Sequence, residues 1–325
     1  MKISAGVGRG FYKSGFVRRM ARWMDAMAHP TLAIEFGFDR LAAVHWARAG
    51  AVEDIAIEAL PPGAIVPSPV DSNLVDVAAV RSALTSICTR LHAKDEEVTL
   101  LIPDPVIRVF VQHFEEFPRS PQDALPILRW KLKKSIPFAI DETLISYMRQ
   151  APRENGVDIV TALARESIVR EYDAAAESVN LRAGVILSSA LASVALLEGH
   201  KPVLMARVSD TTLSTAIVRD GVLCGYRCTE LPARGKDLTP KMLLDEIFPI
   251  AAFYQDSWHE NIHAVRLAGL GGRLPEFVGP LEAEFRCHVQ SLLLSARSEG
   301  FLPVSAQPLV DRELEGLAGW MLHHE

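Results

Sequence analysis

His259-Glu260-Asn261-Ile262-His263 sets two imidazoles four residues apart with a carboxylate beside the first. On one helix that spacing holds zinc while the glutamate activates water, and Glu282 is available as a third ligand. A strand is expected to begin at Ala264, which leaves His263 at a strand edge. The spacing therefore reads as a chance match in a helix-to-strand connection, and no metal is expected. A second chemistry lies just downstream. Gly269-Leu270-Gly271-Gly272 joins a strand at 264–268 to a helix opening on Leu274-Pro275-Glu276. Glycines in such a turn let backbone approach a phosphate or a flat ligand. Cys224 and Cys228 share one strand face and read as small buried residues. Sequence order supports no serine-histidine-acid triad.

The elements that would position these groups come in a repeated outline. Residues 31–58 and 203–229 are each a short strand, a tight return, a second strand, a turn and a third strand. The first block runs 31–36, 41–47 and 51–60; the second runs 203–208, 213–218 and 222–229. A hairpin block used twice predicts two similar lobes facing each other across a cleft, where ligands usually sit. Asp220-Gly221, within the second block, reads as a hairpin turn.

Composition narrows the possibilities. The chain has 325 residues, 49% of them hydrophobic, enough for two sizeable cores. Lysine plus arginine is 34 against 40 acidic residues, a formal charge of -6, which argues against nucleic acid as the main partner. Four scattered cysteines suit a reducing compartment rather than a disulfide framework. No apolar run is long enough to cross a bilayer, and the start lacks the apolar core of a signal peptide. Residues 1–30 are instead basic, through Lys2, Arg9, Lys13, Arg18, Arg19 and Arg22. Phe16, Val17, Met20, Trp23, Met24 and Met27 recur there at helical spacing. Such an extension docks on the protein, stays a loose tail, or lies at a membrane surface.

Between the blocks, Asp76 predicts a helix through His92, and 98–102 reads as a buried strand stopped by Pro103-Asp104-Pro105. A further strand spans 106–114. Ser120-Pro121-Gln122-Asp123 is a helix start, with Pro126 suggesting a late beginning and Lys131, Lys133 and Lys134 at the favoured carboxyl end. Strands at 143–150 and 157–163, a helix at 165–179 and a strand at 183–187 follow. These predict a first lobe at 31–186 containing an inserted subdomain at about 97–163, and a second lobe at 187–325 closed by a helix at 311–323.

Several of these segments carry a resemblance. They are Val98-Thr99-Leu100-Leu101-Ile102-Pro103, the following stretch to Phe117-Pro118, Leu128-Arg129-Trp130-Lys131 running into Ile136-Pro137-Phe138, and residues 268–275. Over 31–322 the chain resembles the PilM-like pilus-assembly proteins, relatives of the cell-division protein FtsA in the actin-like ATPase superfamily. The resemblance implies a two-lobed actin-like (ribonuclease-H-like) α/β fold with an inserted α/β subdomain. It also implies ATP between the lobes and a cytoplasmic place at the inner-membrane platform of type IV pilus machines. The partner it implies is the cytoplasmic N-terminal peptide of the bitopic membrane protein PilN. Related modules occur in type II secretion.

The nucleotide loops depart from that family's pattern. Glu35-Phe36-Gly37 keeps an acid and a glycine, but Phe38, Asp39 and Arg40 replace small hydroxyl residues, and Ala42 stands where a lysine is expected. The second phosphate loop, Asp-x-Gly in the family, is Arg207-Val208-Ser209, followed by Asp210. Bulk and misplaced charge repel a phosphate rather than donate to it. The expectation is a non-catalytic scaffold without cofactor. The alternative is a switch binding ATP and Mg through Glu35, Gly37, Arg207, Asp210, Gly269, Gly271 and Gly272. By the same resemblance, a peptide groove beside the inserted subdomain would involve Phe110, Phe114, Arg129, Trp130, Lys133 and Phe138.

Overall fold

The computed structural model describes residues 30–47, 51–94, 97–153, 155–197, 199–234 and 237–322. The amphipathic stretch expected before Pro30 lies outside them. In chain order come β1 (Leu32–Phe36), β2 (Arg40–Trp46), β3 (Val52–Ala59), α1 (Val77–Arg90) and β4 (Glu97–Ile102). A separate unit follows: β5 (Arg108–Phe114), α2 (Pro121–Leu132), β6 (Thr143–Arg153) and β7 (Gly156–Arg165). The chain returns through α3 (Glu166–Glu177), β8 (Arg182–Ser188) and α4 (Ser189–Ser193). The rest is β9 (Val203–Ser209), β10 (Thr212–Arg219), β11 (Val222–Glu230), α5 (Pro240–Trp258), β12 (Ala264–Ala268), α6 (Leu274–Phe285) and β13 (His288–Ser291). Three short helices close it: α7 (Leu292–Ser298), α8 (Gln307–Val310) and α9 (Glu315–Met321).

Two five-stranded sheets share one topology, β3-β2-β1-β4-β8 and β11-β10-β9-β12-β13. In each, the hairpin strands pair antiparallel and the last two strands join in parallel. The repeated hairpin block thus becomes the antiparallel half of each sheet. This duplicated layout is the two-lobed actin-like α/β fold. The central strands β1 and β12 are buried along their whole length, as strands covered on both faces must be. The smaller unit is a three-stranded antiparallel sheet, β5-β7-β6, covered on one face by α2.

Helix starts follow local chemistry. Asp76 accepts from the Ala79 amide at 2.9 Å, and Ser120 from the Gln122 amide at 3.2 Å. The helix begun by Ser120 runs straight through Pro126 instead of starting late, because Ala124, Leu128 and Leu132 bury its inner face. One apolar core includes β1, β4, one face of β9 and β10, and the final helix; a second lies under α5 and α6.

Two boundaries differ from the sequence expectation. The insertion does not begin at residue 97, because Glu97–Ile102 is a central strand of the first sheet, paired with both β1 and β8. The inserted unit starts only after Ile102. The final helix is shorter than 311–323 and does not stay with the second sheet. Leu317, Trp320 and Met321 pack into the core that holds β1, and α9 lies against α4.

The inserted sheet also reaches the second lobe. β5 lies against β11, and the Gln150 side chain makes two 2.8 Å hydrogen bonds to Leu223, donating to its carbonyl and accepting from its amide. Leu223 can offer both groups because β11 is an edge strand, where alternate residues turn their N–H and C=O away from the neighbouring strand.

Candidate functional site

The two first turns of the repeated blocks meet across the interlobe cleft. β1 ends at Phe36, and the Gly37 amide donates to the Arg40 carbonyl at 2.8 Å, which turns Phe38 and Asp39 into the opening. β9 delivers Arg207 and Ser209 from the opposite side, and Asp210 turns the hairpin with φ 47°. β12 ends at Gly269, whose φ is 73°. A Cβ at that position would fall 1.9 Å from the Val208 carbonyl oxygen, so only glycine lets this turn lie on β9. Glu35, Gly37, Arg207, Asp210, Gly269 and Gly271 thus line one cleft of about 600 Å³; Gly272 belongs to the following turn.

The cation at the centre of that cleft is held from within the protein. Arg207 donates through Nη2 to Glu35 Oε1 at 2.9 Å and through Nη1 to Asp104 Oδ2 at 3.0 Å. Its side chain is 12% exposed, that of Glu35 10%, and that of Asp104 0%. Asp104 is held further by the Ser214 hydroxyl at 2.9 Å and the Ala190 amide at 2.7 Å. Both lobes therefore contribute to one buried polar cluster. Burial works against the Arg207 charge, but Asp104 and Glu35 outweigh it and hold the guanidinium protonated.

Glu315, at the start of α9, completes the cluster from a third direction. Burial pushes its carboxyl up to about 7, against the pull of Arg207 and with Glu35 adding repulsion. A Cβ on its neighbour Gly316 would lie 3.0 Å from both Glu35 carboxylate oxygens, so the last helix closes tightly over the first acid. Nearby, burial raises the Cys228 thiol to about 12 and Tyr226 well above the ordinary tyrosine range. Neither is poised to act as a nucleophile.

This arrangement does not fit magnesium-assisted phosphoryl transfer. Metal and phosphate need free carboxylate oxygens and free cations at the two loops. Here Arg207 lies between the first-loop acid and Asp104. Among the described residues, no group of three or more His, Cys, Asp or Glu side chains is placed to hold a metal ion. Asp39, Asp210 and Glu313 add negative charge to the lining, and Arg40 and Arg234 only partly offset it.

The histidine motif is taken up by structure. α5 stops at Trp258, and His259 adopts a left-handed cap with φ 53°, so the two imidazoles do not share a helix face. Glu260 accepts from Arg219 at 2.9 Å and from the Tyr254 hydroxyl at 3.2 Å. Glu282 is turned to His288 and the Val289 amide, each at 3.2 Å.

The six residues named for a peptide groove are dispersed over the inserted unit. Phe110 and Phe114 point to α2, where they pack with Leu132 and with Phe117 respectively. The alternate residues Val109 and Val111 face the first-lobe core. Arg129 donates to the Ile140 carbonyl at 2.7 Å. Phe138 is half-buried beyond α2, while Trp130 and Lys133 are exposed on it. Sequence reading missed Asp104, which it took as part of a proline stop signal, and Glu315. A charged residue between two prolines directly after a buried strand was the available clue.

No protein-family model matches the chain, and no relative of curated function matches it. Among solved structures, a chain of the PilM-PilN type IV pilus biogenesis complex is 16% identical at TM-score 0.69, over 91% of this chain and 99% of that one. The chain has the PilM-like, actin-like fold. The cytoplasmic domain of EpsL, an inner-membrane component of the type II secretion system of Vibrio cholerae, matches at 9% identity and TM-score 0.47, over 84% of this chain and 94% of that one. A Bacteroides thetaiotaomicron protein with an actin-like ATPase fold matches at 12% identity and TM-score 0.44, over 82% of this chain and 92% of that one.

Proposed function

We propose that this chain is a non-catalytic scaffold of an inner-membrane assembly platform for type IV pili or type II secretion. It would work at the cytoplasmic face and hold the cytoplasmic N-terminal peptide of a bitopic, PilN-like membrane protein. The observation that carries the non-catalytic part is Arg207 seated between Glu35 and Asp104 where the two phosphate loops meet. A cation held by two of its own protein's acids is a poor grip for a γ-phosphate. The partner class is supported by the likeness to a chain of the PilM-PilN complex, which extends over 91% of this chain. Among the described residues no helix is long and apolar enough to cross a membrane.

A scaffold gains affinity by presenting a rigid shape, since less ordering is left to be done on binding. Two features supply rigidity: the buried cluster shared by both lobes, and the Gln150 clasp between the inserted sheet and β11. The groove proposed for the peptide lies between the inserted unit and the first lobe. Photo-cross-linking of the full chain in inner-membrane preparations should join that seam to the cytoplasmic end of a single-pass protein. A synthetic peptide of that end should then bind in calorimetry. Cross-links to soluble proteins alone, or a peptide without heat of binding, would sink the reading.

A second reading keeps a nucleotide as a regulator. It is favoured by the cleft volume of about 600 Å³, within the range of small-molecule sites. Titration with Mg-ATP should then show saturable heat that Gly271→Trp abolishes; no heat at all removes this reading and leaves the scaffold intact.

A further inference from the structure

The outer side of α2 carries an apolar stripe that the packing of the inserted unit leaves over. Ala124, Leu128 and Leu132 fill the inner face. On the other side Ile127 is 37% and Trp130 81% exposed, three residues apart and so stacked on one ridge. Lys133 and Lys134, both exposed, continue that ridge beyond the helix end. Lys131 is turned aside, its Nζ 3.9 Å from the centre of the Phe114 ring and donating to the His113 carbonyl at 3.2 Å. Asp123 stands at the opposite, amino end of the helix. In a chain of formal charge -6, this spot is locally cationic.

We propose that this ridge is a membrane-surface contact, with Trp130 and Ile127 entering the interface of an anionic bilayer while Lys133 and Lys134 meet its headgroups. Indole rings favour the headgroup level, where an apolar body and a polar N–H are both accommodated. Lysines beside them gain from the negative surface potential, and their alkyl stems reach past the apolar layer. A single exposed helix is convex, so it can lie along a headgroup plane, and the two lysines beside its apolar ridge match the charge of an anionic one. One such ridge binds weakly and reversibly on its own. The inference does not depend on the peptide reading, because it uses only the outer face of α2.

The test uses the full chain carrying Trp23→Phe. Of the remaining tryptophans, Trp46 and Trp320 are buried and Trp258 is stacked on Tyr254, so lipid-dependent fluorescence reports Trp130. With vesicles containing phosphatidylglycerol, emission should shift to the blue and be quenched by brominated acyl chains. Binding should weaken with salt and be lost on phosphatidylcholine alone. Trp130→Ser and the pair Lys133→Glu with Lys134→Glu should each weaken vesicle binding about tenfold or more, with unchanged thermal unfolding. Unchanged affinity in both variants, equal binding to neutral vesicles, or an unshifted emission on anionic vesicles would each overturn the proposal. So would a shift produced by a soluble acidic peptide but not by vesicles.

Discussion

At the scale of single residues, the cleft is governed by three acids and one cation. Replacing Arg207 by methionine leaves Glu35 and Asp104 facing each other without a counter-charge. Breaking one side of a buried pair costs about 3–5 kcal/mol, so Arg207→Met should lower the urea midpoint by that equivalent. Glu315 acts in the opposite sense. Burial lifts its folded carboxyl from the ordinary range near 4.5 up to about 7. Between those values the folded chain holds a proton that the unfolded chain has released, so stability falls as pH rises through that window. Glu315→Gln should flatten the decline and add up to roughly 3 kcal/mol at pH values above it. Urea unfolding across pH checks this; a parallel decline in the variant would contradict it. These two acids were hard to see from the sequence. Asp104 sits in a Pro-Asp-Pro turn and Glu315 in an ordinary helix start, and only the docking of separate segments makes them neighbours.

At the scale of elements, strand periodicity gave the faces but not what covers them. Phe110 and Phe114 were expected at a groove; their alternation with Val109 and Val111 is real, yet α2 lies over the aromatic side. The boundary of the insertion failed for a related reason. Residues 98–102 read correctly as a buried strand, but an apolar run does not say which sheet it joins. The clasp from β6 to β11 belongs to this scale too. Gln150→Ala removes both partners of the Leu223 peptide groups inside a buried seam, which should cost about 1–3 kcal/mol. Hydrogen exchange should then accelerate at the Leu223 amide and leave β1 and β4 protected. Uniform acceleration over all strands would instead mean global destabilisation.

At the scale of the whole molecule, the duplicated hairpin outline was the most legible feature, because each block is contiguous and its turns are short. The glycine turn at the end of β12 was equally readable. The joining of the lobes was not. It depends on a helix from the far end of the chain and on an inserted sheet touching the opposite lobe, contacts of very long sequence separation.

Arg207 also bears on how far the two lobes can part. Its guanidinium comes from the second lobe and its two carboxylate partners from the first, with side chains 12%, 10% and 0% exposed. Opening the cleft at that point would leave buried charges without their partners, which is costly. The hinge is latched from the inside.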